Sequence, residues 1–232
     1  IIFSSLKELR ISVCWFIVMS SKERKTMKLG ILLTDHVMDK LRVTHGDMAD
    51  FYEYIFGKVD SSISLKIFEV VDGVYPKNID ECQGYLITGS RFSVYDEVDW
   101  IKRLKIFVLE LHQLKKPLIG VCFGHQLIAQ VLGGETKEAE SGWTVGNQTY
   151  NFAENLPWIK KDISSVKLLH SHKDQVTKLP PSAKLIASTE KVPIAMFCIE
   201  NHIFSHQGHP EFTPDYVLDV ATMRRKVLGG EV

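Results

Sequence analysis

The sequence predicts an α/β fold: an open, mostly parallel sheet with helices on both faces and an antiparallel extension in the C-terminal half. From Met27 onward, short apolar runs alternate with amphipathic stretches, the pattern of βαβ units with parallel strands. Later apolar runs follow one another through turns with no long helix between them. With 232 residues, 45% of them hydrophobic, the chain can bury a large core without disulfides or a structural metal.

Four apolar runs in the N-terminal half predict the parallel strands. They are "LGILL" at 29–33, "LKIFEVV" at 65–71, "GYLIT" at 84–88 and "PLIGV" at 117–121. Leu, Ile and Val dominate them, as expected for strands that are buried on both faces. Apolar residues recur every three or four positions through 99–116, which predicts an amphipathic helix before the fourth strand.

The C-terminal half predicts antiparallel pairing. Its five strand-like runs lie at 142–151, 165–171, 183–189, 193–201 and 202–209. Thr213 as N-cap and Pro214 at the first helical position predict a last helix, which ends before Gly229. These elements together predict a flavodoxin-like sheet.

Residues 1–26 have a different character from the rest of the chain. They carry five basic residues against two acidic ones. Their apolar run, Ile11–Met19, is shorter than the ~20 residues that a membrane span needs, and a charged "SKERK" follows where a signal peptide has small residues. We expect 1–26 to be a leader or over-extended N-terminus, and 27–232 to form one domain that carries the chemistry.

Charge and cysteine usage exclude several functional classes. Lys+Arg and Asp+Glu number 28 each, so no global field favours nucleic acid or a membrane surface as partner. The four cysteines are scattered without paired spacing, which indicates a reducing compartment and predicts a cytoplasmic location. The histidine pairs 170/172 and 206/209 lack further ligands at suitable spacing, so we expect no metal and no cofactor.

The segment "GVCFGHQLIAQVLGG" at 120–134 places Cys122 between Gly120 and Gly124, where the fourth strand turns into a helix. This is the cysteine counterpart of the nucleophile elbow. The N–H groups of the helix N-terminus favour a thiolate, and ligands bind at the carboxyl edge of such strands. Taken alone, the segment fits a buried core thiol in a glycine turn equally well.

The segment "SHQGHPEF" supplies a base for the thiol. Pro210 favours an extended conformation at His209, and residues two apart in an extended chain project to the same side. Glu211 can therefore orient the imidazole of His209 and stabilise its protonated form. A single tripeptide of this kind also occurs in surface turns, but with Cys122 it completes a triad.

Four segments together resemble the class I (triad) glutamine amidotransferases. The family's Cys-x-Gly-x-Gln signature appears at Cys122–Gln126 and its His-Pro-Glu signature at 209–211. The run "LITGSRFSVYD" resembles the family's oxyanion strand, with Ser90 where many members have a second glycine. "HSHKDQV" matches its Ser-His-x-Asp loop, and the four segments follow family order through most of 27–217.

The resemblance implies a role for each matched residue. Cys122 would attack the side-chain carbonyl of a γ-glutamyl group, His209 would relay protons, and Glu211 would orient His209. Backbone N–H groups of Ser90 and Phe123 would stabilise the oxyanion. The residues implied in binding glutamine or a γ-glutamyl peptide are Gly89, Gln126, Ser171, His172 and Lys173.

Three functions remain open from the sequence. The first is hydrolysis or transfer of γ-glutamyl groups by a stand-alone enzyme, in the group that includes γ-glutamyl peptidases and proteins similar to the glutaminase part of GMP synthase. The second is a glutaminase subunit that delivers ammonia to a separate synthetase partner. The third is a binding module without turnover, against which the intact triad argues. We expect the first.

Overall fold

The computed structural model describes residues 27–153 and 165–228. The prediction for the leader at 1–26 lies outside the described residues. Within the described part, no helix is long and apolar enough to cross a membrane.

Eleven strands and five α-helices make up the described part of the chain. The strands are β1 Met27–Leu33, β2 Ile63–Glu69, β3 Gly84–Ile87, β4 Leu118–Val121, β5 Glu135–Glu138, β6 Thr144–Phe152, β7 Ser165–His172, β8 Asp174–Lys178, β9 Ala183–Ser188, β10 Met196–Ile199 and β11 Ile203–His206. The helices are α1 Asp39–His45, α2 Met48–Val59, α3 Asp99–Gln113, α4 Phe123–Val131 and α5 Pro214–Met223.

Nine of these strands form one sheet in the order β2-β1-β3-β4-β11-β10-β9-β6-β7. The strands from β2 to β11 pair in parallel, and those from β11 to β7 pair antiparallel. The predicted combination of a parallel sheet with an antiparallel extension is therefore confirmed. A separate two-stranded sheet of β5 and β8 was not predicted, because its mostly polar strands show no apolar run.

Helices cover both faces of the sheet, as predicted. On one face, α2 packs against β1 and β2, and α5 packs against β6 and β7, in an apolar cluster that includes Leu29, Ile31 and Leu33. On the other face, α4 packs against β3, β4 and β11, and α3 packs against α4, in an apolar cluster that includes Leu32 and Ile87. Successive residues of a strand point to opposite faces, so a strand between two helical layers is apolar throughout.

The observed helices begin and end close to the predicted positions. The segment predicted as helix through 116 ends at Gln113. The last helix begins as predicted, with Thr213 as N-cap accepting a hydrogen bond from the Tyr216 N–H and with Pro214 in the first turn. That helix ends at Met223, and turns continue through Leu228.

The parallel strands bring four loops to one edge of the sheet. Thr34 follows β1, Thr88 and Gly89 follow β3, Cys122 follows β4, and Gln207 follows β11. Because parallel strands share the edge at which they end, these loops lie side by side. The residues with the strongest chemical signals in the sequence therefore converge on this edge.

Candidate active site

Cys122 occupies a strained turn between β4 and α4. Its backbone has φ 50° and ψ −100°, a conformation that non-glycine residues rarely adopt and that costs about 1–3 kcal/mol. The turn is held by its N–H, which donates to the His206 carbonyl at 3.0 Å. A Cβ at Gly120 would lie 2.8 Å from the Gly124 backbone, and one at Gly124 would lie 2.5 Å from the Ile87 carbonyl oxygen. Both glycines therefore allow the helix to approach the strands closely at the elbow.

His209 lies next to Cys122 and is held on several sides. Its N–H donates to the Leu169 carbonyl of β7 at 2.8 Å. Its Nδ1 hydrogen-bonds Glu211 Oε1 at 2.7 Å, and the ring also hydrogen-bonds the Cys122 side chain. Phe212 stacks on the imidazole with ring centroids 3.9 Å apart and planes within 4°. The two segments that the sequence singled out thus meet at one point.

The charges around His209 favour its protonated form. Burial alone opposes a charge on this ring, but the Glu211 carboxylate and the Cys122 side chain raise the pKa of His209 to about 10. Tyr52 of α2, which is fully buried, donates a hydrogen bond from its hydroxyl to Glu211 Oε1 at 3.1 Å. Burial, and then the charge of Glu211, raise the pKa of Tyr52 well above its ordinary value, so this phenol stays a donor. The ring is therefore oriented with a proton available beside the thiol.

The loop after β3 forms the opposite wall of the site. A Cβ at Gly89 would lie 2.6 Å from Cε1 of His209, so only glycine fits beside the imidazole. Ser90, which stands where the family often has a second glycine, turns its hydroxyl away and donates to the Thr34 carbonyl at 2.9 Å. Its side chain thereby ties this loop to the end of β1.

Two backbone N–H groups near the thiol have no acceptor among the described residues, those of Ser90 and Phe123. Phe123 is the first residue of α4, where N–H groups have no partner within the helix. The next N–H, of Gly124, donates instead to the Thr88 carbonyl at 3.2 Å. Unpaired donors on both sides of a nucleophile are what a developing oxyanion requires.

A cavity of about 330 Å³ opens on one side of Cys122 and contains four of the five predicted substrate-binding residues: Gln126, Ser171, His172 and Lys173. The Gln126 amide nitrogen donates to the Asp174 carbonyl at 2.7 Å and to Gln207 Oε1 at 3.2 Å. This leaves the Gln126 amide oxygen as the atom that can accept from a ligand ammonium. Lys173 pairs with Glu138 at 2.8 Å on the rim.

A second and narrower cleft, of about 50 Å³, opens on the other side of Cys122. It contains Gly89, the fifth predicted substrate-binding residue, together with His209 and Phe212. The two spaces share the residues Ser90, Arg91, Cys122, Ser171 and Arg224. The thiol therefore lies where two differently lined spaces meet.

Comparison with known proteins identifies the family. The family model "Glutamine amidotransferase class-I" matches residues 69–217, which is well over half of the chain. The chain belongs to this family. The matched region includes Cys122, His209 and Glu211, but Tyr52 lies before it.

This class I amidotransferase is similar to two kinds of curated protein. It is 31% identical over 212 residues to gamma-glutamyl peptidase 3 of Arabidopsis thaliana, covering 88% of this chain and 83% of the peptidase. It is 32% identical over 146 residues to a glutamine-hydrolyzing GMP synthase of Bacteroides fragilis, covering 59% of this chain but 26% of the synthase.

Solved structures support the fold assignment. A glutamine amidotransferase from Thermotoga maritima superposes with a TM-score of 0.72 at 18% identity, covering 89% of this chain and 85% of the other. One from Methylobacillus flagellatus superposes with a TM-score of 0.64 at 19% identity, covering 86% and 75%. At these identities the likeness concerns the fold alone.

The amidotransferase also contains a buried hydrogen-bond chain that the sequence analysis missed. The His172 Nδ1 hydrogen-bonds the Asp174 carbonyl at 2.9 Å, its Nε2 lies 2.8 Å from His170 Nδ1, and His170 Nε2 lies 2.9 Å from the Tyr150 hydroxyl. The Tyr150 oxygen in turn accepts from the Gly208 N–H at 2.7 Å. This chain connects the residue before His209 to the wall of the larger cavity.

The donor and acceptor of each of these hydrogen bonds follow from the charge states of the two histidines. Burial lowers the pKa of His172 to about 4 and that of His170 well below its ordinary value, so both rings are neutral. Since the Asp174 carbonyl only accepts, His172 carries its proton on Nδ1 and accepts from His170, which accepts from Tyr150. The spacing of two between the histidines on one strand was the available sequence signal, because such residues share a face.

The described residues contain no group of three or more His, Cys, Asp or Glu side chains that could hold a metal ion. Cys82 is a free and fully buried thiol, and burial raises its pKa. It therefore has the character of a core residue, and its surroundings contrast with those of Cys122.

Proposed function

We propose that the protein cleaves γ-glutamyl amides or peptides through a γ-glutamyl thioester on Cys122, by hydrolysis or by transfer to another amine. The observation that carries this proposal is the elbow thiol, which contacts a buried His209–Glu211 pair and opens on two separate spaces. One space is needed for the acyl group and the other for the group that leaves.

In the first half-reaction, the Cys122 thiolate attacks the γ-carbonyl carbon and a C–S bond forms. The carbonyl oxygen takes up the negative charge between the N–H groups of Ser90 and Phe123. When the C–N bond breaks, the leaving nitrogen takes the proton from His209 and departs as an amine. Glu211 keeps the ring oriented through Nδ1, and it stabilises the imidazolium before the transfer.

In the second half-reaction, water enters the space that the amine has left. His209, now neutral, accepts a proton from water as a C–O bond forms at the thioester carbon. The C–S bond then breaks, and glutamate and the Cys122 thiolate are released. An amine in place of water would give transfer by the same sequence of steps.

The glutamyl end is held in the larger cavity. The Gln126 amide oxygen accepts from the α-ammonium, and the backbone of 171–173 contacts the α-amino and α-carboxylate groups. The hydrogen bonds from Gln126 and His172 to the Asp174 carbonyl hold this wall in position. Such a site binds a small-molecule substrate, and the proposed reaction involves no nucleic acid.

Cleavage by this protein alone is better supported than service as a glutaminase subunit. The contacts that the proposed triad needs all join residues of this one chain, and Tyr52 adds a hydrogen bond to Glu211. The match to gamma-glutamyl peptidase 3 covers 83% of that protein, whereas the match to GMP synthase covers 26% of the synthase. The alternative function, delivery of ammonia to a separate synthetase partner, uses the same thioester.

We also propose that residues 27–232 act as one domain and that the protein works in the cytoplasm. The free thiols of Cys82 and Cys122 support the second point, because thiols persist in reducing compartments.

The test is turnover by the purified protein of glutamine, glutathione and a γ-glutamyl dipeptide. We expect release of glutamate and a covalent γ-glutamyl adduct on Cys122 when the reaction is quenched in acid and examined by mass spectrometry. Cys122→Ala should lose at least ~10³-fold in kcat, as loss of a triad nucleophile does, while Cys82→Ala remains active. Thermal melting of both variants controls for folding.

Full activity of Cys122→Ala would rule out the thioester. Negligible turnover of every substrate by the protein alone, restored strongly by one fraction of a cell extract, would instead support the glutaminase subunit.

A further inference from the structure

The two spaces at Cys122 differ in which catalytic group they contain. Gln126 lines only the larger cavity, whereas His209 lines only the narrow cleft. The leaving nitrogen must take its proton from His209, so it departs on the side of the narrow cleft. The acyl group then occupies the larger cavity, which is lined by Gln126 and residues 171–173.

The narrow cleft has an apolar lining that the departure of ammonia does not require. Its walls include the apolar side chains of Met38, Met48, Phe212, Val217 and Val220. Apolar walls of this kind suit an organic leaving group with a short side chain, and two methionines allow some adjustment to its shape. The volume of about 50 Å³ limits how large that group is.

Two arginines stand at the cleft, and their pairing differs. Arg91 is bound to Asp35, with an Nη2–Oδ1 distance of 2.7 Å and further bonds from Nε, and it also donates to the His36 carbonyl. Arg224, just after α5, has no acidic partner within salt-bridge distance among the described residues. Its guanidinium lies 5.7 Å from the centre of the Trp143 ring.

We infer that the narrow cleft binds the leaving group as an α-amino acid with a small side chain, whose free carboxylate pairs with Arg224. This inference rests on the proposed γ-glutamyl cleavage and adds a residue that determines its specificity. A guanidinium with no carboxylate of its own is suited to bidentate recognition of a substrate carboxylate. A leaving group without that carboxylate, such as ammonia or an amino-acid amide, gains nothing from Arg224.

Arg224 also lines the larger cavity, so the α-carboxylate of the glutamyl group is the competing ligand. Two features favour the leaving group. Three side chains of α5, the helix that ends directly before Arg224, also line the narrow cleft: Tyr216, Val217 and Val220. In the larger cavity, the backbone of 171–173 is already available to the α-carboxylate of the glutamyl group.

The experiment compares γ-Glu-Ala, γ-Glu-alaninamide and glutamine as substrates of wild type, R224Q and R224K. Arg225, exposed and next in sequence, supplies the matched control R225Q. We expect R224Q to lose about tenfold or more in kcat/KM on γ-Glu-Ala, mainly through KM, because a charge-assisted pair is lost. On the amide and on glutamine, R224Q should stay within about twofold of wild type, R224K should recover part of the loss, and R225Q should match wild type throughout.

Three results would overturn the inference. Equal losses of R224Q on glutamine and γ-Glu-Ala would place the glutamyl carboxylate at Arg224. A wild-type enzyme that cleaves the amide as well as the acid would show that the leaving carboxylate is not recognised. If wild type cleaves none of the three substrates, the proposed function itself fails and the inference falls with it, a result distinct from the other two.

Discussion

His209 and the pair His170–His172 are both buried at the same edge of the sheet, yet their charge states are opposite. The pKa of His209 is raised to about 10, whereas that of His172 is lowered to about 4 and that of His170 lies well below its ordinary value. Burial acts in the same direction on all three rings, since removal from water disfavours the cation.

The partners account for the difference. His209 hydrogen-bonds the Glu211 carboxylate and the Cys122 side chain, and both raise the pKa of its ring. The ring of His170 bonds a phenol and a neutral imidazole, and that of His172 ends on a backbone carbonyl. One system therefore holds a proton that it can transfer, and the other acts as a rigid brace. The separation of these histidines in the sequence does not predict which ring is charged.

The largest effect expected from this comparison concerns the proton that His209 holds. His209→Gln should lower kcat/KM by at least ~10³-fold, because both the general acid and the base are lost. Glu211→Gln should cost less, about 10²-fold, because the ring remains but loses its charged partner. Steady-state kinetics on one γ-glutamyl dipeptide measures both variants. Wild-type kcat/KM in Glu211→Gln would mean that another group orients His209.

The same variant tests the cause of the raised pKa. Without the Glu211 charge, burial of His209 dominates and its pKa should fall. The form of the enzyme that protonates the leaving amine is then lost at lower pH, so the alkaline limb of the pH–rate profile moves to lower pH. An unshifted alkaline limb in Glu211→Gln would show that Glu211 does not set the protonation of His209.

The neutral histidines predict the pH dependence of stability. Burial lowers the pKa of His125 to about 3 and that of His172, His202 and His206 to about 4, with His170 in the same direction. Their contribution is complete above pH ~6.5, the value for unfolded histidine, and is lost as pH falls toward 4, because the unfolded chain binds more protons. Between pH 6 and 5, the free energy of unfolding should fall by at least ~2.7 kcal/mol, equivalent to two protons.

Urea unfolding at several pH values between 7.5 and 5 measures this slope. His209 acts in the opposite direction: its raised pKa adds stability that is complete well below pH ~6.5 and is lost as pH rises above that value, so its contribution changes little between pH 6 and 5. His202→Gln, which removes one of the neutral rings, should reduce the slope by up to ~1.4 kcal/mol per pH unit. A flat profile down to pH 5 would contradict the neutral assignment.

A smaller effect is expected at Tyr150, which ends the row of hydrogen bonds through His172 and His170. Tyr150→Phe removes the donor to His170 and leaves the Gly208 N–H without its acceptor, which should destabilise the fold by about 1–3 kcal/mol. Because this phenol braces the loop before His209, kcat should fall more than KM changes. Tyr54→Phe, at an exposed tyrosine, is the matched control. If Tyr150→Phe matches this control in unfolding and in kinetics, the hydrogen bonds of Tyr150 do not position the site.

The smallest effect is expected from the N-terminal segment. Deleting residues 1–26 should change neither histidine system, since all the contacts above join residues between Tyr52 and Glu211. The melting temperature and kcat/KM of the shortened protein test this expectation. A large loss in either one would show that the segment contributes to the domain.

Much of the site was predictable because its determinants are local. Glycines at 120 and 124 indicate a tight turn wherever it lies in a fold, and Pro210 favours an extended chain that puts His209 and Glu211 on one side. Apolar runs separated by amphipathic segments likewise predict parallel strands, whose ends must share an edge. Cys122 could therefore be placed at that edge from the sequence. The order in which the strands and the site residues follow one another was predictable in the same way.

Other features depend on which distant segments the sheet brings together. Tyr52 reaches Glu211 across 159 positions, and Tyr150 reaches Gly208 across 58. No local pattern encodes such contacts, because they follow from the strand order and from helices packing on each face. The division of the space around Cys122 into a cavity with Gln126 and a cleft with His209 and Arg224 has the same origin. Periodicity and turn sterics act over a few residues, whereas the shape of a cavity is set by all the elements that surround it.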